Sequence, residues 1–126
     1  MTVRELVGGE VIWVAPEATI RVAAAMMKSN GVGSLAVEVD GALEGIFTER
    51  DLLDAVAADA DLDQTRVDAW MTAYPDSIDP DMSVPEAADW MLASGHRHIP
   101  VVDGSRILGM ISIKDVLWAM TEPSTL

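Results

Sequence analysis

The chain has 126 residues, 50% of them hydrophobic and 23% charged, which suits one globular body of ordinary domain size and excludes a low-complexity or disordered chain. Twenty-one acidic residues against eight basic give a formal charge of −13, a balance that repels nucleic acid and anionic membrane surfaces. There is no Cys, hence neither a disulfide framework nor a thiolate nucleophile. No signal core follows Met1 and no uncharged run approaches the roughly 18 residues of a membrane span, so a cytoplasmic protein is expected.

In chain order, Val3 to Val7 reads as a short helical lead-in, broken by Gly8-Gly9 before the apolar strand Val11-Ile12-Trp13-Val14, which Pro16 closes. Thr19 is the N-cap of a helix whose Ile20, Ala23, Ala24 and Met27 recur at i, i+3, i+4 and i+7 and so share a face; Asn30-Gly31 stops it. Ser34 to Val39 and Leu43 to Phe47 read as strands of a hairpin turned by Asp40-Gly41. Thr48 then caps a second helix running to about Ala58. The acidic stretch 59–64 reads as a solvated linker.

The same series then repeats. Val67 to Met71 is a second lead-in and Ser77-Ile78 a weak first strand. Ser83-Val84-Pro85-Glu86 is a capping box with Pro early in the helix, whose stripe is Val84, Ala87, Ala88 and Met91. Ile99 to Val102 and Ile107 to Ile111 form a hairpin around Asp103-Gly104, and Lys114 to Met120 is the last helix, ended by Pro123.

An offset of 64 residues carries Val3 onto Val67, Pro16 onto Pro80, Gly31 onto Gly95 and Gly45 onto Gly109. The chain is therefore read as two copies, 1–60 and 66–126, joined by 61–65. A unit of about 60 residues is marginal alone, so the copies are expected to share a core. Strand, helix, hairpin, helix is an α/β (α+β) order that mixes parallel and antiparallel pairing.

Most repeated residues are core or turn positions, but Asp51 and Asp115 are carboxylates, which add little to a core. Each closes a capping box, Thr48-x-x-Asp51 and Ser112-x-x-Asp115, at a strand end that runs straight into a helix N-terminus. The free N–H groups there favour an anion. Arg50 and Lys114 set a cation beside each carboxylate, where it would meet a phosphate, and a carboxylate suits the vicinal hydroxyls of a ribose. Local capping alone also explains both motifs.

The doubled Gly-h-x-[Ser/Thr]-x-x-Asp pattern (h apolar), with Ile99-Pro100-Val101-Val102-Asp103-Gly104 before its second copy, resembles a tandem pair of CBS domains, or Bateman module, over nearly the whole chain. The resemblance implies two β-α-β-β-α units packed about a pseudo-twofold axis, with clefts between them for AMP, ADP, ATP or S-adenosylmethionine. It implies Asp51 and Asp115 on ribose hydroxyls, Thr48 and Ser112 on the phosphate chain, Ile46 and Met110 near the adenine, and Arg50, Lys114, Arg97 and His98 as phosphate partners. A homodimer through outer apolar helix faces and a regulated partner protein are also implied.

Two departures from the family pattern make the copies unequal. Leu35-Ala36-Val37 lacks the usual Pro, and Trp13 stands where the second copy has Ser77, near the adenine pocket that the resemblance implies, where a Trp could stack on a base or fill the cleft; core packing is the expectation for Trp13. His96 and His98 are the only His residues, too few for the three or four ligands of a zinc site, so no metal is expected. No obligatory cofactor and no catalytic residue are assigned, because no Ser/His/Asp set or Gly-rich phosphate loop stands out and the repeat takes up the whole length. A regulatory nucleotide-binding module is the favoured reading. The alternative is a structural homodimerisation module with vestigial sites.

Overall fold

The computed structural model describes residues 1–7 and 11–121; the Gly8-Gly9 break and the Pro123 stop lie outside them. The elements are α1 (Val3–Leu6), β1 (Trp13–Val14), α2 (Ile20–Asn30), β2 (Ser34–Val39), β3 (Ala42–Thr48), α3 (Glu49–Ala57), a 3-10 turn at Val67–Ala69, β4 (Thr72–Ala73), α4 (Val84–Ser94), β5 (His98–Asp103), β6 (Arg106–Ser112) and α5 (Ile113–Thr121). They fall into two compact units, a contiguous one over Val11–Pro75 and a split one made of Met1–Glu10 and Asp76–Leu126.

In the contiguous unit α2 is the crossover between β1 and β2, which pair in parallel, while β3 runs antiparallel to both β2 and β4. The hairpin turn forms as its sequence dictates, since Asp40 and Gly41 both take positive φ (51° and 80°), the two-residue turn whose twist matches that of the strands. Thr19 caps α2 by accepting the Val22 N–H at 3.2 Å. Ile20, Ala23 and Met27 turn inward against Leu35, Val37 and Phe47. Each large side chain so buried contributes roughly 1.5–3 kcal/mol.

Trp13 does not join this core and remains 53% exposed. A strand of two residues has one inward position because successive side chains alternate in direction, and Val14 takes it. The stretch 59–64 is more than a solvated linker. The Leu62 and Thr65 carbonyls accept the first-turn N–H groups of Arg21 and Ile20, both at 3.0 Å, satisfying donors that a helix start leaves open, and Arg21 pairs with Asp63.

The split unit repeats the plan with α4, the β5–β6 hairpin and α5, but Ser77-Ile78 yields only one parallel bridge, Ile78 to Val101. Its hairpin turns on Gly104-Ser105, with Asp103 paired to Arg106, one residue later than Asp103-Gly104. Gly104 alone takes positive φ there (64°), the pattern of a two-residue turn with Gly leading. Val3, Val84, Met91, Ile99, Val101, Ile111 and Val116 form its core. Among the described residues each unit has its own core cluster.

The compact units are offset from the sequence copies because each lead-in docks on the body of the other copy. Val3 and Arg4 donate to the Met82 and Pro80 carbonyls at 2.8 Å, while Val67 and Asp68 donate to Ala18 and Pro16 at 2.8 and 3.1 Å. Thr2 bridges Ser83, and Arg66 bridges Thr19. Every one of these partners corresponds at the 64-residue offset.

Candidate functional site

Strand periodicity sets the site face. In β3, Phe47 points into the core, so Ile46 and Thr48 point to the opposite face. Cross-strand register adds Ala36 and Trp13 beside Ile46, and Ser34 beside Thr48. The same face in the split unit carries Met110 and Ser112, opposite core Ile111, with Pro100 and His98 as their partners. Ile46 is buried and Met110 half-buried.

Both faces end at a capping box. The Thr48 N–H donates to Asp51 Oδ2 at 2.8 Å, the Thr48 hydroxyl donates to the same oxygen at 3.1 Å, and the Asp51 N–H returns to Thr48 Oγ1 at 3.3 Å. In the second box the Ser112 N–H donates to Asp115 Oδ2 at 2.9 Å and the Asp115 N–H to Ser112 Oγ at 3.1 Å. Among the described residues no hydrogen bond falls on Oδ1 of either carboxylate. Each Asp therefore fixes its helix start with one oxygen, and the other is open to a further donor. Burial pushes the Asp51 carboxyl up from its ordinary value, against the two Thr48 bonds, which lower it; Asp54 adds to the rise and Arg50 opposes it.

Backbone around the two boxes is matched. The Glu49 N–H donates to the Gly33 carbonyl at 3.0 Å and the Ile113 N–H to the Arg97 carbonyl at 2.8 Å, residues again 64 apart. The structure thus brings Ile46, Thr48 and Asp51 together in one unit, and Met110, Ser112, Asp115, His98 and the Arg97 backbone in the other. Arg50, Arg97 and Lys114 extend into solvent. His96 stands apart from them: it precedes β5, stacks on Trp90 with ring centroids 5.3 Å apart, and lies 3.3 Å from Asp76. Ser34 is the residue that sequence reasoning missed. It is a buried hydroxyl paired with Thr48, and the 64-residue offset from His98 points to it.

A family model for the CBS domain matches residues 3–58 and 67–122. The CBS domain-containing protein YhcV of Bacillus subtilis is 31% identical over 115 residues, spanning 91% of this chain and 82% of that protein. A protein with CBS domains from Burkholderia ambifaria superposes with a TM-score of 0.92 at 28% identity, over 100% of this chain and 98% of that one. A CBS domain protein of Pyrobaculum aerophilum, solved in complex with AMP, gives a TM-score of 0.84 at 28% identity, over 91% of this chain and 89% of its own.

Proposed function

Because the chain belongs to the CBS-domain family as a tandem pair, we propose that it is a stand-alone, non-catalytic regulatory module that binds an adenosine-containing ligand and signals its presence to a partner protein. The observation that carries this reading is the doubled capping box, in which Asp51 and Asp115 each hold one oxygen outside the box. That oxygen takes a ribose hydroxyl. Thr48 and Ser112 stand at the phosphate end with Arg50, Lys114, Arg97 and His98, and Ile46 and Met110 offer apolar surface to the adenine. The AMP complex of a relative alike over nine-tenths of its length supports the ligand class. AMP, ADP, ATP and S-adenosylmethionine all fit it.

No described helix is long and apolar enough to cross a membrane, and we place the protein in the cytoplasm. We also propose a homodimer. Leu53 and Val56 on α3, and Leu117 and Met120 on α5, are at least half exposed, and the pairs correspond at the 64-residue offset.

The test is thermal unfolding of the full chain against AMP, ADP, ATP and S-adenosylmethionine. A ligand at about a hundred times its Kd adds roughly 2.7 kcal/mol, and Asp51→Asn or Asp115→Asn removes the gain. A flat response to all four rejects the adenosine reading in favour of a pure dimerisation module.

A further inference from the structure

The two motifs are an internal controlled comparison, since the same two backbone N–H bonds hold both helix starts and the side chains around them differ. Three differences point the same way. The first is the hydroxyl proton. Thr48 donates it to Asp51 at 3.1 Å, whereas among the described residues the Ser112 hydroxyl donates to nothing. Ser112 thus has a donor ready for an anionic oxygen, and Thr48 would have to break a bond to supply one.

The second is the strand facing the motif. Arg97 and His98 stand in the split unit where the contiguous unit has Gly33 and Ser34, and Ser34 is buried. The third is the helix itself. The first two turns of α3 carry Glu49, Asp51 and Asp54 against Arg50, while α5 carries Lys114 and Asp115 and no other charge. Arg4, Arg21 and Arg66 are held by carboxylates. Among the described residues none of Arg50, Arg97 and Lys114 has such a pair, so the difference lies in the acidic residues of α3. A phosphate near Asp51 would thus meet a net acidic helix end, and one near Asp115 a helix end of no net charge with Arg97 on the facing strand. Helix-end amides favour anions in both places, so the side chains decide between them.

We infer that the two copies sort adenosine ligands by the charge of the 5′ group, the Ser112–Asp115 motif taking phosphate-bearing nucleotides and the Thr48–Asp51 motif taking adenosine derivatives whose 5′ substituent is neutral or cationic, such as a thioether or a sulfonium. This rests on the adenosine reading above and adds which motif takes which ligand.

The experiment is calorimetric titration of the full chain with ATP, AMP, adenosine and 5′-methylthioadenosine at low and high salt. It is run on the wild type, Asp51→Asn, Asp115→Asn, and the double variant Arg97→Gly with Lys114→Ala, each checked to unfold in a single cooperative transition. Asp115→Asn should lose ATP and AMP, and the double variant should weaken ATP by at least about tenfold while leaving 5′-methylthioadenosine within about twofold. Asp51→Asn should lose 5′-methylthioadenosine and keep ATP. In the wild type, ATP affinity should fall with salt and adenosine affinity hold, a readout that depends on no variant. Nucleotide binding that survives Asp115→Asn but not Asp51→Asn overturns the sorting, as does an ATP-to-adenosine ratio unchanged in the double variant; in either case the adenosine reading stands. No binding of any of the four compounds overturns both.

Discussion

The two oxygens of Asp51 face different demands. Oδ2 accepts from the Thr48 N–H and hydroxyl and so stabilises the start of α3, while burial works against the charge that the proposed ribose contact would use. Because burial raises the carboxyl's folded pKa above its ordinary value of 3.8, its stabilising contribution is fully present below that value and is lost as pH rises through the folded pKa. Asn resembles the protonated acid and keeps a carbonyl oxygen for the cap. Asp51→Asn should therefore unfold at the wild-type temperature at the acid end of that window and at a higher one at neutral pH, while losing its ligand. Equal unfolding temperatures at both ends, from parallel melts at the two pH values, would show that the cap rather than desolvation dominates there. The motif was legible because its chemistry is local, a hydroxyl and a carboxylate three residues apart. Trp13 was misread because apolar character does not reveal which of two alternating positions in a short edge strand turns inward.

At the scale of elements, the Gly that opens each motif belongs to packing rather than to the ligand. A Cβ on Gly109 would lie 2.5 Å from Val7 Cγ1, and one on Gly45 would lie 2.6 Å from Met71 Sδ and 2.7 Å from the Thr72 carbonyl oxygen. Val7 and Met71 are corresponding lead-in residues, so each Gly is the point where a lead-in crosses a motif strand. Gly109→Ala should cost about 1–3 kcal/mol by overpacking, read as a lower denaturant midpoint, and Val7→Ala should restore part of the loss in the double variant. Gly45→Ala should cost at least as much, because one neighbour is backbone and cannot rotate away. An undiminished midpoint in Gly109→Ala would mean that the lead-in is not held at this crossing. Helices and hairpins were readable from caps, stripes and turn residues, all within a few positions of one another. The exchange of lead-ins was not, because Arg4 meets Pro80 and Asp68 meets Pro16 across spans that leave no period in the sequence. The bonds that the start of α2 donates to the Leu62 and Thr65 carbonyls escaped for a related reason: acidic composition describes the side chains of 59–64, whereas backbone carbonyls in and just after it do the capping.

For the molecule as a whole, the proposed homodimer has a direct test. Leu53 and Leu117 are 66% and 50% exposed, and an Asp at both positions puts charge into a face that a partner copy would dry. Sedimentation should show the wild type as a dimer and Leu53→Asp/Leu117→Asp as a monomer with each unit still folded; a wild type that sediments as a monomer rejects the dimer. The exchanged lead-ins also bear on how the chain comes into being. The unit over Val11–Pro75 is contiguous, while its companion joins Met1–Glu10 to Asp76–Leu126. During synthesis the first can close as soon as its last strand has left the ribosome. The second cannot, because Val3, which ends up fully buried, is made before the contiguous unit and must wait, exposed, until Met82, Val84 and Ile111 have been translated. The apolar residues of the first lead-in are therefore made long before the body that buries them.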